Sequence, residues 1–216
     1  MLEASNPLTP EAPHHLPARY GRADAETYFT RAGWIRLFGL LGHPARPVPH
    51  KTSGGRNLPF LERIWMPWYA VEFSTEVKMR FNTVSVALDA WSGMIVLFER
   101  GRELREGAPE GAVFAPPFGA EQAMTQARQG LFQVILRRRG QLNKPQIRAC
   151  ESVRLFYMPY WVYYHRRIFR YIDCRLMDAY SGEAAGSRTR HGLLNALVAQ
   201  PQPDDHSGGS DTPKTP

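Results

Sequence analysis

One feature constrains this chain more than any other: it carries the same pair of motifs twice. Met66-Pro67-Trp68-Tyr69 returns as Met158-Pro159-Tyr160-Trp161, and Asp89-Ala90-Trp91-Ser92-Gly93 returns as Asp178-Ala179-Tyr180-Ser181-Gly182. Compact domains commonly run to about 100–150 residues, so a chain of 216 residues has room for one large domain or two small ones, and duplication favours two. The offset between copies is 158 − 66 = 92 at the first motif and 178 − 89 = 89 at the second. Three residues are therefore missing from the second copy between the motifs. A hairpin tip, around 74–77 in one copy and 166–168 in the other, absorbs such a loss most easily.

The periodicities around the motifs repeat as well. Ala120, Met124, Ala127, Leu131 and Val134 or Ile135 recur at helical spacing, with Arg137, Arg138 and Arg139 in the last turn and Gly140 as the C-terminal cap. The first copy offers Asp24 as N-cap, then Tyr28, Ala32, Ile35, Phe38 and Leu41, with Gly42 as the stop. Strand-like sequence follows each helix, over 61–73 and 153–165. Residues 76–81 and 84–88 alternate as a second strand, matched by 168–179. Asp89, Gly93, Asp178 and Gly182 then mark turns, the aspartate bonding nearby amides and the glycine supplying a positive φ. A short third strand is expected at 94–98 and again at 183–188.

Each copy thus reads as one helix and three antiparallel strands, an α+β fold of two tandem units related by a pseudo-two-fold. The boundaries that follow are a disordered tail over 1–20, a first unit over 21–104, a linker over 105–118, a second unit over 119–192 and a disordered tail over 193–216. The first tail holds Pro7, Pro10, Pro13 and Pro17 among polar residues, and from about Gln200 the second is Pro, Asp, Ser and Gly with no apolar face, so neither can offset the entropy of ordering.

The order helix, Pro-aromatic-aromatic strand, alternating strand and Asp-Ala-x-Ser-Gly turn resembles the PepSY-like repeats of a poorly characterised bacterial group. That resemblance covers roughly 60–98 and 119–187. It implies a cystatin-like fold, no catalytic group, and a role in binding another protein.

The residues themselves limit the chemistry. Cys150 and Cys174 are the only cysteines, too few for a disulfide scaffold or a zinc knuckle, which points to a reducing cytoplasm. The seven histidines are dispersed, without metal-ligand spacing, so no metal and no cofactor is expected. No window approaches the roughly 18 apolar residues of a membrane span, and the N-terminus does not read as a signal peptide. The formal charge of +7 comes almost wholly from arginine, which reflects either genome composition or guanidinium groups kept for phosphate and carboxylate recognition.

Two clusters are candidate binding surfaces. Trp65, Trp68, Tyr160 and Trp161 form either an aromatic platform or the core and edge of the first strand in each copy, proline being admitted mainly at strand starts and edges. Arg137, Arg138, Arg139, Arg166, Arg167 and Arg170, with tyrosines between them, form either a joint patch for phosphates and acidic surfaces or a helix end and a solvated hairpin. The expected function is a non-enzymatic protein-binding or adaptor module, its partner a protein. The alternative is an accessory nucleic-acid binder using the arginine and aromatic patch, and a third reading is an enzyme with a small-ligand site between the units. The oligomeric state is open.

Overall fold

The structure, a computed structural model, describes residues 12–30, 50–51, 57–58, 60–137, 144–166 and 172–200. Its elements begin with β1 (His14–His15), α1 (Arg22–Thr30), β2 (His50–Lys51), β3 (Asn57–Leu58), β4 (Leu61–Val77), β5 (Arg80–Asp89) and β6 (Ile95–Leu97). They continue with β7 (Arg105–Glu106), β8 (Ala112–Val113), α2 (Ala120–Arg137), β9 (Gln146–Arg166), β10 (Ile172–Asp178) and α3 (Ser187–Ala199). None of these helices is long and apolar enough to cross a membrane.

Two tandem helix-plus-three-strand units do not form. Eight strands make one mixed sheet in the order β6-β5-β4-β9-β1-β7, with β10 also on β9 and β8 also on β4, while β2 and β3 form a separate pair. The reason lies in the two motif-bearing strands. β4 and β9 pair antiparallel with each other, Met66 directly opposite Met158. From Ile64 to Val71, β4 is buried on both faces, and a strand so buried needs a partner along each edge. A lone unit would leave one edge bare.

The two prolines sit inside this central pair and not at an edge. Both are accommodated at a seam. On its outer side β4 first pairs with β8, at Ile64 and Trp65, and then with β5, from Trp68 onward. The Trp65 C=O accepts from Phe114 N and the Pro67 C=O from Ala90 N, so residues 65 and 67 direct their backbone groups outward. The N–H that Pro67 lacks would point between the end of β8 and the start of β5, where no ladder bond is lost. β9 repeats the arrangement: Tyr157 accepts from Leu16 N beside β1, and Pro159 from Ala179 N beside β10.

On one sheet face each helix reaches across onto the other copy's strands, α2 also covering Val153 of its own β9. α2, which precedes β9, lays Ala123, Ala127, Leu131 and Ile135 against Tyr69, Val71, Phe73, Val86 and Leu88 of β4 and β5. α1, which precedes β4, lays Ala25 and Phe29 against Leu61, Trp161 and Met177. Asp24 lies inside the first turn of α1, not at its N-cap, and accepts from Gly21 N at 2.8 Å. The rest of the expected first stripe, Ala32 to Gly42, lies outside the described residues, as does Gly140. The opposite sheet face is covered by α3, whose Leu193, Ala196 and Leu197 join Ile64, Met66, Trp68, Phe156, Tyr160 and Leu176.

Segments expected as tail and linker contribute to this core. β1 and β8 run parallel beside β9 and β4 and bury Leu16 and Phe114 behind them, each side chain contributing about 1.5–3 kcal/mol. α3 likewise extends past residue 192 to Ala199. It begins where a third strand was expected, that strand being reduced to a bridge between Met177 and Ala184.

The three-residue difference does fall in the hairpins. Both ladders start at equivalent pairs, Trp68 with Asp89 and Tyr160 with Asp178, and 89 − 68 exceeds 178 − 160 by three. In the first copy the alternating stretch 76–81 is interrupted by the turn Lys78-Met79, both at positive φ (48° and 61°). That is a type I′ turn made without its preferred Asn-Gly, and the left-handed region costs an L-residue roughly 1–2 kcal/mol. Replacing Lys78-Met79 by Asn-Gly is expected to raise stability by about 1 kcal/mol. An unchanged or lowered denaturation midpoint would show the turn to be unstrained.

Candidate functional site

The repeated aspartates are committed to their turns. Asp89 Oδ1 accepts from Trp91 N (2.9 Å) and Ser92 N (3.2 Å), and Oδ2 from Ser92 Oγ (2.6 Å). Asp178 accepts from Tyr180 N and Ser181 Oγ, both at 2.8 Å. Gly93 and Gly182 close the two turns at φ 66° and 78°. Burial pushes the Asp89 carboxyl above its ordinary value, while the bonds from Ser92 and Trp91 pull it down.

The four motif aromatics are core residues. Trp65, Trp68, Tyr160 and Trp161 are all buried. Trp65 Nε1 donates to the Glu110 C=O at 2.9 Å and Trp161 Nε1 to the Tyr20 C=O at 2.8 Å. Burial, with the charges of Asp178 and Asp89 added, holds the Tyr160 phenol well above its ordinary value. Trp68 Nε1 and Thr189 favour the phenolate, although Trp68 Nε1 falls short of a hydrogen bond of good geometry. Trp68 and Tyr160 line a cavity of about 650 Å³ together with Phe98, Phe156, Asp178 and Thr189. Burial pushes the Cys174 thiol up to about 12 and also raises that of Cys150. No three His, Cys, Asp or Glu converge as a metal site among the described residues.

The arginine cluster is not assembled by what is described. Arg137 ends α2, whose neighbour Ile135 packs with Phe73 and Ile147 near the start of β9. Arg166 closes the same strand, 21 residues long, on the order of 60 Å further along at about 3.3 Å per residue. Arg138, Arg139, Arg167 and Arg170 lie outside the described residues.

A different site appears at the free edge of β5. β6 covers β5 only over Val86 to Leu88, and Phe98 N donates to the Ser85 C=O at 2.9 Å. Strand alternation therefore directs the backbone groups of Thr83 and Phe81 outward too, where no strand meets them among the described residues. Beside this edge lies a cavity of about 630 Å³, lined by Thr83, Ser85, Leu97, Glu99, Glu72 and Arg154 and reaching Leu131 and Val134 of α2. Glu72 accepts from Arg154 at 2.9 Å and from Ser152 Oγ at 3.0 Å, and Arg154 Nε is buried without a partner. Leu97 and Phe81 are exposed on the rim.

The sequence contained one usable sign of this site. Glu72 and Arg154 are charged residues at positions whose neighbours along β4 and β9, Ala70 and Phe156, belong to the core, so charge interrupts the inward set of each strand. The free edge had no such sign, because it depends on where β6 stops. Compared with protein-family models, curated proteins and solved structures, the chain matches none.

Proposed function

We propose that this chain is a non-enzymatic protein-binding module that takes an extended segment of its partner as an added strand on β5. The observation that carries this reading is the backbone edge at Thr83 and Phe81, which no strand meets among the described residues and which a mixed polar and apolar cavity borders. In strand addition the main chain supplies affinity and pockets for alternate side chains supply selectivity. The Glu72–Arg154 pair and the Leu97 rim offer both kinds of contact to such a segment. A cytoplasmic setting is part of the proposal, on the two free cysteines. Kinship with PepSY-like repeats is proposed on the two Asp-Ala-aromatic-Ser-Gly turns alone.

The alternative, a nucleic-acid binder acting through the arginine patch, has no convergent patch among the described residues to support it. Selection from a displayed library of extended peptides tests the leading reading. The wild-type chain is expected to enrich binders whose affinity falls about tenfold, or 1.4 kcal/mol, in Thr83→Pro, which removes an outward N–H while leaving the β4 side of the ladder intact. No enrichment, or equal binding to a folded Thr83→Pro chain, would remove the strand-addition reading.

A further inference from the structure

On the sheet face that carries α1 and α2, between the areas the two helices cover, lies a further pocket of about 580 Å³, within the roughly 300–1,000 Å³ of small-ligand sites. Separate segments converge on it: His15 and Arg19 from β1 and the residues after it, Arg63 and Trp65 from β4, and Arg102 and Arg105 around β7. The convergence is built into the pairing, since His15 lies opposite Arg105 in the β1–β7 ladder and packs edge-on against Trp65 at 5.6 Å. Arg63 stands over the same indole, its Cζ 5.6 Å from the ring centroid.

The charge balance of this pocket is one-sided. Its single carboxylate, Glu103, already accepts from Arg19 and from Tyr180 Oη, each at 2.5 Å. Arg63, Arg102 and Arg105 have no carboxylate within ion-pair distance among the described residues, so three positive charges face one concavity uncompensated. His15 Nδ1 lies 3.0 Å from the Gly107 C=O. A carbonyl only accepts, so that nitrogen carries the proton and Nε2 is left uncommitted.

We propose that this pocket binds a small, multiply charged anion of the phosphate class, held by Arg63, Arg102 and Arg105 beside the Trp65 indole. Guanidinium forks match phosphate oxygens two at a time and are less strongly hydrated than ammonium groups, so they lose less on binding. A nucleic-acid strand would need cations spaced along a track, whereas these three arginines close around a single hollow. The pocket uses the face opposite Glu72 and Arg154 and does not depend on strand addition at β5.

Calorimetric titration of the full chain with inorganic pyrophosphate at low ionic strength tests this. One equivalent is expected to bind, more tightly than inorganic phosphate, and affinity is expected to fall at least about tenfold per neutralised charge-assisted contact in Arg63→Gln/Arg105→Gln. Arg102, which also borders the β5 cavity, is left unchanged so that peptide binding and anion binding fail independently. Arg105→Gln alone, in an exposed two-residue strand, keeps the test open if the double variant does not fold. Absence of binding, or affinity unchanged in the variants, would overturn the proposal. So would a single-stranded oligonucleotide that binds more tightly than pyrophosphate and is weakened equally by the same substitutions.

Discussion

Asp89→Ala is expected to lower stability by about 3 kcal/mol, since three donors aimed at a buried carboxylate lose their acceptor at about 1 kcal/mol or more each. For a chain of this length that is a melting shift of roughly 6–12 °C. Asp89→Asn keeps an acceptor for Trp91 N and Ser92 N and should cost about 1 kcal/mol. The two variants also differ from wild type in their response to pH. Burial raises the folded carboxyl above its ordinary value of 3.8, so the folded state takes up this proton before the unfolded state does. The stability this contributes is complete below 3.8 and is lost as pH rises through the folded value. Wild type should therefore lose stability relative to Asp89→Asn on going upward from about pH 4. Parallel pH profiles for the two proteins in urea melts would contradict this account of the site.

Gly182→Ala should cost about 2 kcal/mol and Gly93→Ala about 1 kcal/mol, although both residues close the same kind of turn. Both have positive φ, so both substitutions incur the left-handed penalty. They differ in what a methyl group would meet. At Gly93 nothing lies within 4 Å, whereas at Gly182 a Cβ would stand 2.7 Å from the Tyr20 ring. Tyr20 cannot retreat as a whole, because its N–H donates to the Ala179 C=O and its C=O accepts from Trp161 Nε1. Only its ring can swing. Removing the ring as well, in Tyr20→Ala/Gly182→Ala, should bring the cost of the glycine substitution down to that at Gly93. Equal losses for the two single variants would show that the ring is not seated on Gly182.

What could be read from the residues was local. The helix over Ala120–Arg137 has the apolar face its spacing predicts, Ala127, Leu131 and Ile135 being buried and Val134 exposed. The turns at Asp89 and Asp178 bond as their residue types require, and the hairpins absorb the length difference. What could not be read was partnership. Whether a motif strand pairs within its own copy or with its twin depends on edges that no periodicity records. The same gap hid β1 and β8, which are two residues long and lie in proline-rich stretches with the composition of a tail and a linker. Their signal was Leu16 and Phe114, apolar residues that become informative only once the seam beside each proline is known. The β5 edge was hidden for a related reason, since it exists where pairing ends. α3 went unread because Gly192 and three arginine or histidine residues precede its Leu193, Ala196 and Leu197 stripe.

The reach of α1 and α2 across the two copies bears on the order in which the molecule assembles. The β4–β5 and β9–β10 ladders join neighbouring stretches of chain and can close early, each supplying most of the surface that the other copy's helix covers, whereas the central pair must bring together Met66 and Met158, 92 residues apart (158 − 66). Contacts so distant carry a loop-closure penalty before they return any burial. α2 meets most of its surface on β4 and β5, which precede it, whereas α1 must wait for β9 and β10.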